Sequence, residues 1–134
     1  MSDTDHDLAA LPDIGALPAP TLHRVGELGR SLRIPADWTP IHQSEPADKA
    51  YLVLSGHLDV VRDGERVARL GPGSLAGEMG LVDHRLRNAR LTTTDPVRVL
   101  AWTKEDFARL RRDLPDFDEH VRHVAQDRHR DNAS

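Results

Sequence analysis

Hydrophobic positions divide the chain into a helical first part, a strand-rich middle and a helical end. Residues 1–10 are acidic and carry no apolar pattern, so we predict a disordered tail there. The following stretch, LPDIGALPAP, contains three prolines and favours a loop. In TLHRVGELGRSL, residues 21–32, apolar side chains recur every three or four positions, which predicts a helix with Thr21 as its N-cap.

Between Arg33 and Trp102 the pattern changes to short apolar and β-branched runs. Turn signals separate these runs: Ser55-Gly56, Asp63-Gly64 and Asp95-Pro96. The Asp-Gly pair is the strongest hairpin signal in the chain. About eight short strands at this close spacing are typical of an antiparallel barrel or jelly roll and not of a parallel sheet.

A helical pattern returns after the strand-rich part. Thr103 is a suitable N-cap for KEDFARLRRDL, with Asp106 at the capping-box position. Pro115 ends this helix and can begin a second, PDFDEHVRHVAQDRHR, whose apolar residues share one face: Phe117, Val121 and Val124. The predicted fold is mainly β with flanking helices: an N-terminal helix, an antiparallel β-roll or jelly-roll barrel, and two C-terminal helices.

Composition and charge narrow the possible functions. The 134 residues suffice for about one domain, and 38% hydrophobic with 30% charged residues is an ordinary globular balance. The net charge of −4 gives no basic footprint for nucleic acid, and the absence of cysteine excludes disulfides and thiol catalysis. Without a signal peptide or a run of roughly 20 apolar residues, we expect a cytoplasmic protein with no membrane or nucleic-acid partner.

One stretch, GEMGLVDHRLRNAR at residues 77–90, combines features that suit a charged ligand. A short helical turn beginning near Gly77 would leave backbone N–H groups free to bind an anion. Arg87 follows Glu78 by nine positions, and its planar guanidinium suits two phosphate oxygens. The Glu78 carboxylate accepts hydrogen bonds from hydroxyl groups. A site that binds an anion, next to a carboxylate that accepts hydrogen bonds from hydroxyl groups, would suit a sugar phosphate.

The same stretch resembles the phosphate-binding cassette of cyclic nucleotide-binding domains, such as those of the catabolite activator protein and the regulatory subunits of cyclic-AMP-dependent protein kinase. The family pattern F-G-E-x-A-L, a short loop and R-x-A corresponds here to residues 76–81, 82–86 and 87–89. PADKAYLVLSGHLDVV, ARLGPGSLAGE and TKEDFARLRRDLPDF resemble segments that flank the cassette, so the resemblance covers roughly residues 11–124. It implies a cyclic nucleotide-binding domain at 11–130 and a short tail at 131–134.

Carried over position by position, the resemblance implies a role for each part of the site. Glu78 would accept a hydrogen bond from the ribose 2′-hydroxyl, and Arg87 would pair with the cyclic phosphate. Backbone amides would meet the ribose-phosphate edge, and Asn88 would reach the phosphate or the base. The implied ligand-binding residues are Gly77, Glu78, Met79, Gly80, Arg87, Asn88 and Ala89. The chain departs from the family pattern at Ala76, Gly80 and Arg90.

These observations favour a stand-alone regulatory module without catalytic residues, metal or other cofactor. Asn88 stands where a hydroxyl residue often accompanies cGMP preference in the resembled family, so cAMP is favoured over cGMP. Ligand binding would move the C-terminal helices, which would engage an unknown effector protein or form a homodimer. The chain ends before any helix-turn-helix module, so we expect no direct action on DNA.

Two alternatives stay open at this level. One is a degenerate cyclic nucleotide-binding fold that acts as a ligand-free protein-interaction module, since a family can keep its fold while its function changes. The other is a barrel metalloenzyme that uses some of the eight histidines, although the strand-rich part contains no H-x-H pair. Replacement of Glu78 and Arg87 separates the first alternative from a nucleotide-binding module.

Overall fold

The computed structural model describes residues 3–37, 49–76 and 90–133. Its helices are α1 (Asp3–Ala9), α2 (Ala19–Leu28), α3 (Lys104–Asp113) and α4 (Pro115–Ala133), with a short 3-10 helix at Ile14–Ala16. Its strands are β1 (Arg30–Ile34), β2 (Lys49–Ser55), β3 (Leu58–Arg62), β4 (Glu65–Leu70), β5 (Leu75–Ala76), β6 (Arg90–Thr92) and β7 (Val97–Thr103). Helices thus precede and follow the strands, as the pattern predicts.

The strands of the described ranges form two antiparallel sheets. One contains four strands in the order β1-β7-β2-β5, and the other contains three in the order β4-β3-β6. The predicted hairpin between β3 and β4 is confirmed: Asp63 has a φ of 53° and Gly64 a φ of 82°, the left-handed pair of a tight hairpin turn. The described part of the chain confirms the predicted fold class, mainly antiparallel β with flanking helices.

The four-stranded sheet is the middle layer of the molecule. Along β2, Ala50, Leu52 and Leu54 pack into one apolar cluster with the helices, whereas Tyr51 and Val53 pack into a second cluster between the two sheets. This alternation follows from the period of two in a strand. Because β2 is apolar on both faces, the sheet can be covered by helices on one side and by the three-stranded sheet on the other.

Aromatic rings bind the helical layer to the middle sheet. Trp102 at the end of β7 contacts Phe107 of α3 and Phe117 of α4, with ring centroids 5.9 and 6.2 Å apart. The buried Trp102 indole N–H donates to the Val25 carbonyl of α2 at 2.9 Å. One residue on β7 therefore positions three helices through apolar burial and one hydrogen bond.

The N-terminal part of the chain, from α1 to β1, differs from the prediction in three places. Residues 3–9 form α1 instead of a disordered tail, because Leu8 is fully buried in the helical cluster. Helix α2 begins at Ala19 after Pro18, so Thr21 is not its cap; the buried Thr21 hydroxyl donates to the Asp116 carboxylate of α4 at 2.8 Å. Leu32 lies in β1 and not in a helix.

The C-terminal helices begin where the sequence predicts, but α4 continues to Ala133, past the predicted end at residue 130 and into the predicted tail 131–134. The Thr103 hydroxyl accepts the Asp106 N–H at 3.1 Å, which confirms the N-cap of α3, and Pro115 opens α4. Phe117 and Val121 are fully buried, so the apolar face of α4 is packed against the core. The Asp116 and Asp118 carboxylates add polar contacts, the second of them with the Arg111 guanidinium at 2.6 Å.

Candidate functional site

All of the predicted ligand-binding residues lie outside the described residues: Gly77, Glu78, Met79, Gly80, Arg87, Asn88 and Ala89. The structure describes the strands on either side of them, since β5 ends at Ala76 and β6 begins at Arg90. The positions of these two strand ends determine where the segment 77–89 leaves the fold and where it returns.

The turn before β5 is held against β2 by backbone hydrogen bonds. The Gly73 N–H donates to the Val53 carbonyl and the Val53 N–H donates to the Ser74 carbonyl, both at 2.9 Å. Leu75 and Ala76 then pair with Leu52 and Tyr51. Among the described strands, β5 is therefore at the edge of the four-stranded sheet, and the chain reaches residue 77 from a buried, hydrogen-bonded position.

Gly73 is required by both its conformation and its surroundings. Its φ of +89° is one that residues with a Cβ rarely adopt. A Cβ at this position would lie 2.9 Å from the Pro12 carbonyl oxygen and 3.1 Å from Pro12 Cδ. The loop before the 3-10 helix thus rests directly on the turn that leads into the candidate site.

The other end of the candidate site lies in the other sheet. Strand β6 pairs with β3, with Arg90 opposite Val61, Leu91 opposite Val60 and Thr92 opposite Asp59. Residues 77–89 therefore connect β5 in one sheet to β6 in the other, and each of these is an edge strand among the strands that the structure describes. The strand ends Ala76 and Arg90, which lie in different sheets, thus bracket this segment.

Inward-facing side chains beside the two strand ends form an apolar wall. Tyr51 and Ala76 contribute from the first sheet, and Leu91 and Val60 contribute from the second. Val60 is half-buried, and its strand partner Ala68 is exposed. The alternation of β2 and β3 was a signal that could have identified this wall from the sequence.

A buried carboxylate supports the outer face of the three-stranded sheet. Asp59 is 5% exposed and accepts a hydrogen bond at 2.9 Å from Nε of Arg69 on β4. The two residues are opposite one another in the β3–β4 register. Charge-assisted hydrogen bonding of this kind satisfies a buried charge and fixes the register next to Val60.

A small cavity lies behind the turn that leads into β5. Its volume is about 250 Å³, and it is bordered by Asp13, the turn residues Gly73 and Ser74, and His120 and Val124 of α4. Nε2 of His120 is buried and has no hydrogen-bond partner in the part of the chain that the structure describes. Burial lowers the pKa of His120 more than the nearby Asp13 carboxylate raises it. Nothing in the sequence links these two residues, because they come from opposite ends of the chain.

A larger cavity of about 530 Å³ lies at the start of β1 and β2, where Arg30 and Lys49 border it together with Trp102 and Asp106. Across the described ranges, no group of three or more His, Asp or Glu side chains is placed to hold a metal ion. Among these same residues, no helix is long and apolar enough to cross a membrane.

The described ranges define a class of protein: a β-roll of two antiparallel sheets with helices packed on one of them, in which residues 77–89 join a strand of one sheet to a strand of the other. The sequence model of the cyclic nucleotide-binding domain matches residues 32–113. That match covers more than half of the chain and includes β5, segment 77–89 and β6. The chain belongs to the cyclic nucleotide-binding domain family, as the resemblance predicted.

Curated relatives include both channels and transcription regulators. The chain is 28% identical over 121 residues to a cyclic nucleotide-gated potassium channel from Mesorhizobium japonicum, covering 90% of this chain and 34% of that protein. It is 35% identical over 79 residues to the cyclic AMP receptor protein of Thermus thermophilus, covering 55% and 37%. The chain therefore spans about a third of the length of these two relatives.

Solved structures show the same architecture. The catabolite activator protein of Thermus thermophilus superimposes with a TM-score of 0.78 at 27% identity, covering 88% of this chain and 58% of that chain. The regulatory domain of Toxoplasma gondii PKA, solved with cAMP, gives a TM-score of 0.70 at 19% identity, covering 80% and 43%. At this lower identity the likeness concerns the fold alone.

Proposed function

We propose that this chain is a cytoplasmic regulatory module that binds a cyclic nucleotide, cAMP in preference to cGMP, and performs no chemistry on it. One observation carries the proposal: β5 and β6 lie in different sheets of a cyclic nucleotide-binding domain and bracket the segment in which the cassette pattern falls. The name of the Thermus thermophilus relative, a cyclic AMP receptor protein, supports cAMP. The proposed module covers the predicted range 11–130, extended by α1.

Two charged side chains are proposed to hold opposite ends of the ligand. Arg87 neutralises the single negative charge of the cyclic phosphate and donates two parallel hydrogen bonds to its oxygens. Glu78 accepts a hydrogen bond from the ribose 2′-hydroxyl. Backbone N–H groups and one side-chain amide complete the proposed contacts: Gly77, Met79, Gly80, Ala89 and Asn88.

Helix α4 is the proposed output element. In the described conformation it is docked, because Phe117 and Val121 are fully buried and Asp116 accepts a hydrogen bond from Thr21 of α2. An effector protein or a second copy could use this apolar face only after the helix leaves the core. A cyclic nucleotide would change the docked fraction by binding the docked and undocked forms with different affinity.

The decisive experiment is calorimetry of the purified chain with cAMP and with cGMP. Arg87→Ala should weaken cAMP binding by about 2–5 kcal/mol, as expected when one partner of a buried charge pair is removed. Arg109→Ala is the matched control, since Arg109 is exposed on α3 and pairs with Asp106 at 3.9 Å. Its affinity should equal that of the wild type.

Two outcomes would contradict the proposal. The first is the absence of both heat and a thermal shift at millimolar cAMP and cGMP; at about 100 times Kd, a ligand adds about 2.7 kcal/mol of stability. The second is equal affinity of the Arg87→Ala and wild-type chains. A ligand-free interaction module would instead keep its protein partner when Glu78 and Arg87 are both replaced by alanine.

A further inference from the structure

Three segments from distant parts of the sequence meet at the cavity behind the turn of residues 71–75. The N-terminal loop contributes Pro12 and Asp13, the turn contributes Gly73 and Ser74, and α4 contributes His120. The loop and turn are in tight contact at Gly73. The turn is hydrogen-bonded to β2 and continues directly through β5 into segment 77–89. We call this meeting point of the N-terminal loop, the turn and α4 the joint. Because the turn continues into β5, a change at the joint affects the strand that leads into the candidate site.

His120 is the ionisable residue that α4 contributes to the lining of this cavity. The residue is half-buried, yet its Nε2 atom is buried without a hydrogen-bond partner within the described ranges. A neutral imidazole nitrogen tolerates this position because it can remain an acceptor with no proton to satisfy. A protonated ring would place an N–H donor and a positive charge in the same unsatisfied place.

The charges around His120 act in opposite directions. From the N-terminal loop, the Asp13 carboxylate favours the protonated ring; on α4 itself, His123 disfavours it. The turn, GPGSL, contributes no ionisable side chain. Burial has the largest effect and lowers the pKa of His120, so the docked helix favours the neutral form.

We propose that His120 is a proton-sensitive contact that holds α4 against the turn leading into the candidate site, and that protonation of His120 releases the helix. Where it concerns nucleotide affinity, this inference rests on the proposed function. Loss of the contact removes the support behind β5, the strand that leads into the candidate site. Acidification therefore weakens cyclic nucleotide binding through this residue.

Hydrogen exchange of the full chain without ligand tests the contact directly. Amide protection of α4 over residues 116–124, corrected for the intrinsic pH dependence of exchange, is measured from pH 7.5 to pH 5. In the wild type, opening of the helix should increase by up to about tenfold per pH unit below the ordinary histidine pKa. His120→Gln should remove this dependence, whereas His6→Gln, which removes an exposed histidine of α1, should retain it.

Asp13→Asn separates a proton-sensitive contact from ordinary packing. Asp13 makes no side-chain cap hydrogen bond, and asparagine tolerates its positive φ of 60°, so the substitution removes little except the charge. Without the carboxylate, protonation of His120 becomes harder and the pH of helix release should fall. This variant also tests the proposed role of His120 if His120→Gln fails to fold. Release at unchanged or higher pH in Asp13→Asn, or identical profiles for wild type and His120→Gln, would overturn the inference.

Calorimetric titration with cAMP at pH 7.5 and pH 5.5 tests the link to the ligand. The wild type should bind several-fold more weakly at the lower pH, and His120→Gln should show a smaller loss. An equal loss in both chains would refute the link. If neither chain binds cAMP or cGMP at either pH, the proposed function fails, while the exchange experiment still decides whether His120 holds α4.

Discussion

Gly73→Ala tests whether the N-terminal loop and the turn before β5 are as tightly packed as the structure shows. The substitution adds one methyl group at a φ of +89°, where it would lie 2.9 Å from the Pro12 carbonyl oxygen. Gly64→Ala is the matched control: Gly64 has a similar φ of +82°, but an added Cβ there meets nothing within 4 Å. The pair separates backbone strain from steric conflict.

The expected magnitudes follow from these two contributions. An alanine in the left-handed region costs about 1–2 kcal/mol at either position. At Gly73 the neighbouring atoms belong to a proline backbone and ring, so they cannot rotate away as a flexible side chain would. Forcing an extra methyl into such packing costs about 1–3 kcal/mol more. Gly73→Ala should therefore destabilise the chain by about 2–5 kcal/mol and Gly64→Ala by about 1–2 kcal/mol.

Urea unfolding of the wild type and both variants measures the difference. The m-values should be similar, so the change in midpoint reports the change in the free energy of unfolding. Equal destabilisation by the two substitutions would show that the Pro12 contact is looser than the structure indicates. It would also remove the reason to regard the joint at Gly73 as a rigid support for β5.

Two further predictions concern helix termini and charge. Thr103→Ala removes the hydroxyl that accepts the Asp106 N–H, so urea unfolding should show a loss of about 1 kcal/mol in the free energy of unfolding. Thr103→Ser keeps a hydroxyl at this position and should be nearly neutral. Equal losses in the two variants would refute the capping role. The Asp5 carboxylate raises the pKa of the exposed His23, so this pair stabilises the fold fully below pH 6.5 and ceases to do so as the pH rises through the raised pKa. His23→Gln should flatten that part of the pH dependence of Tm, and an unchanged profile would contradict this.

Much of the fold could be predicted because its signals are local. The Asp63-Gly64 hairpin depends on two residues that tolerate positive φ, and the Thr103 cap depends on one hydroxyl and a neighbouring amide. The break at Pro115 follows from the missing N–H of proline. Each of these features is decided within a few residues, so tertiary packing had little opportunity to override it.

Helices α1 and α2 show where prediction from short stretches of sequence failed. The acidic composition of residues 3–9 suggested a tail, but one buried side chain, Leu8, attaches this segment to the core as α1. Thr21 looked like a cap, yet its hydroxyl donates to Asp116, a residue far away in sequence. In both cases a long-range contact determined the outcome, and no short window of sequence contains that information.

By itself, the sequence determined that helices precede and follow the strands, the main turns and the pattern at 77–89 that identifies the family, because these depend on neighbouring residues. Only the tertiary structure decided that β5 and β6 lie in different sheets, so that this segment crosses between them. It alone brought His120 and Asp13 to the same cavity. Proximity between residues so distant in the chain arises from the packing of helices on the middle sheet, which is a property of the whole buried core.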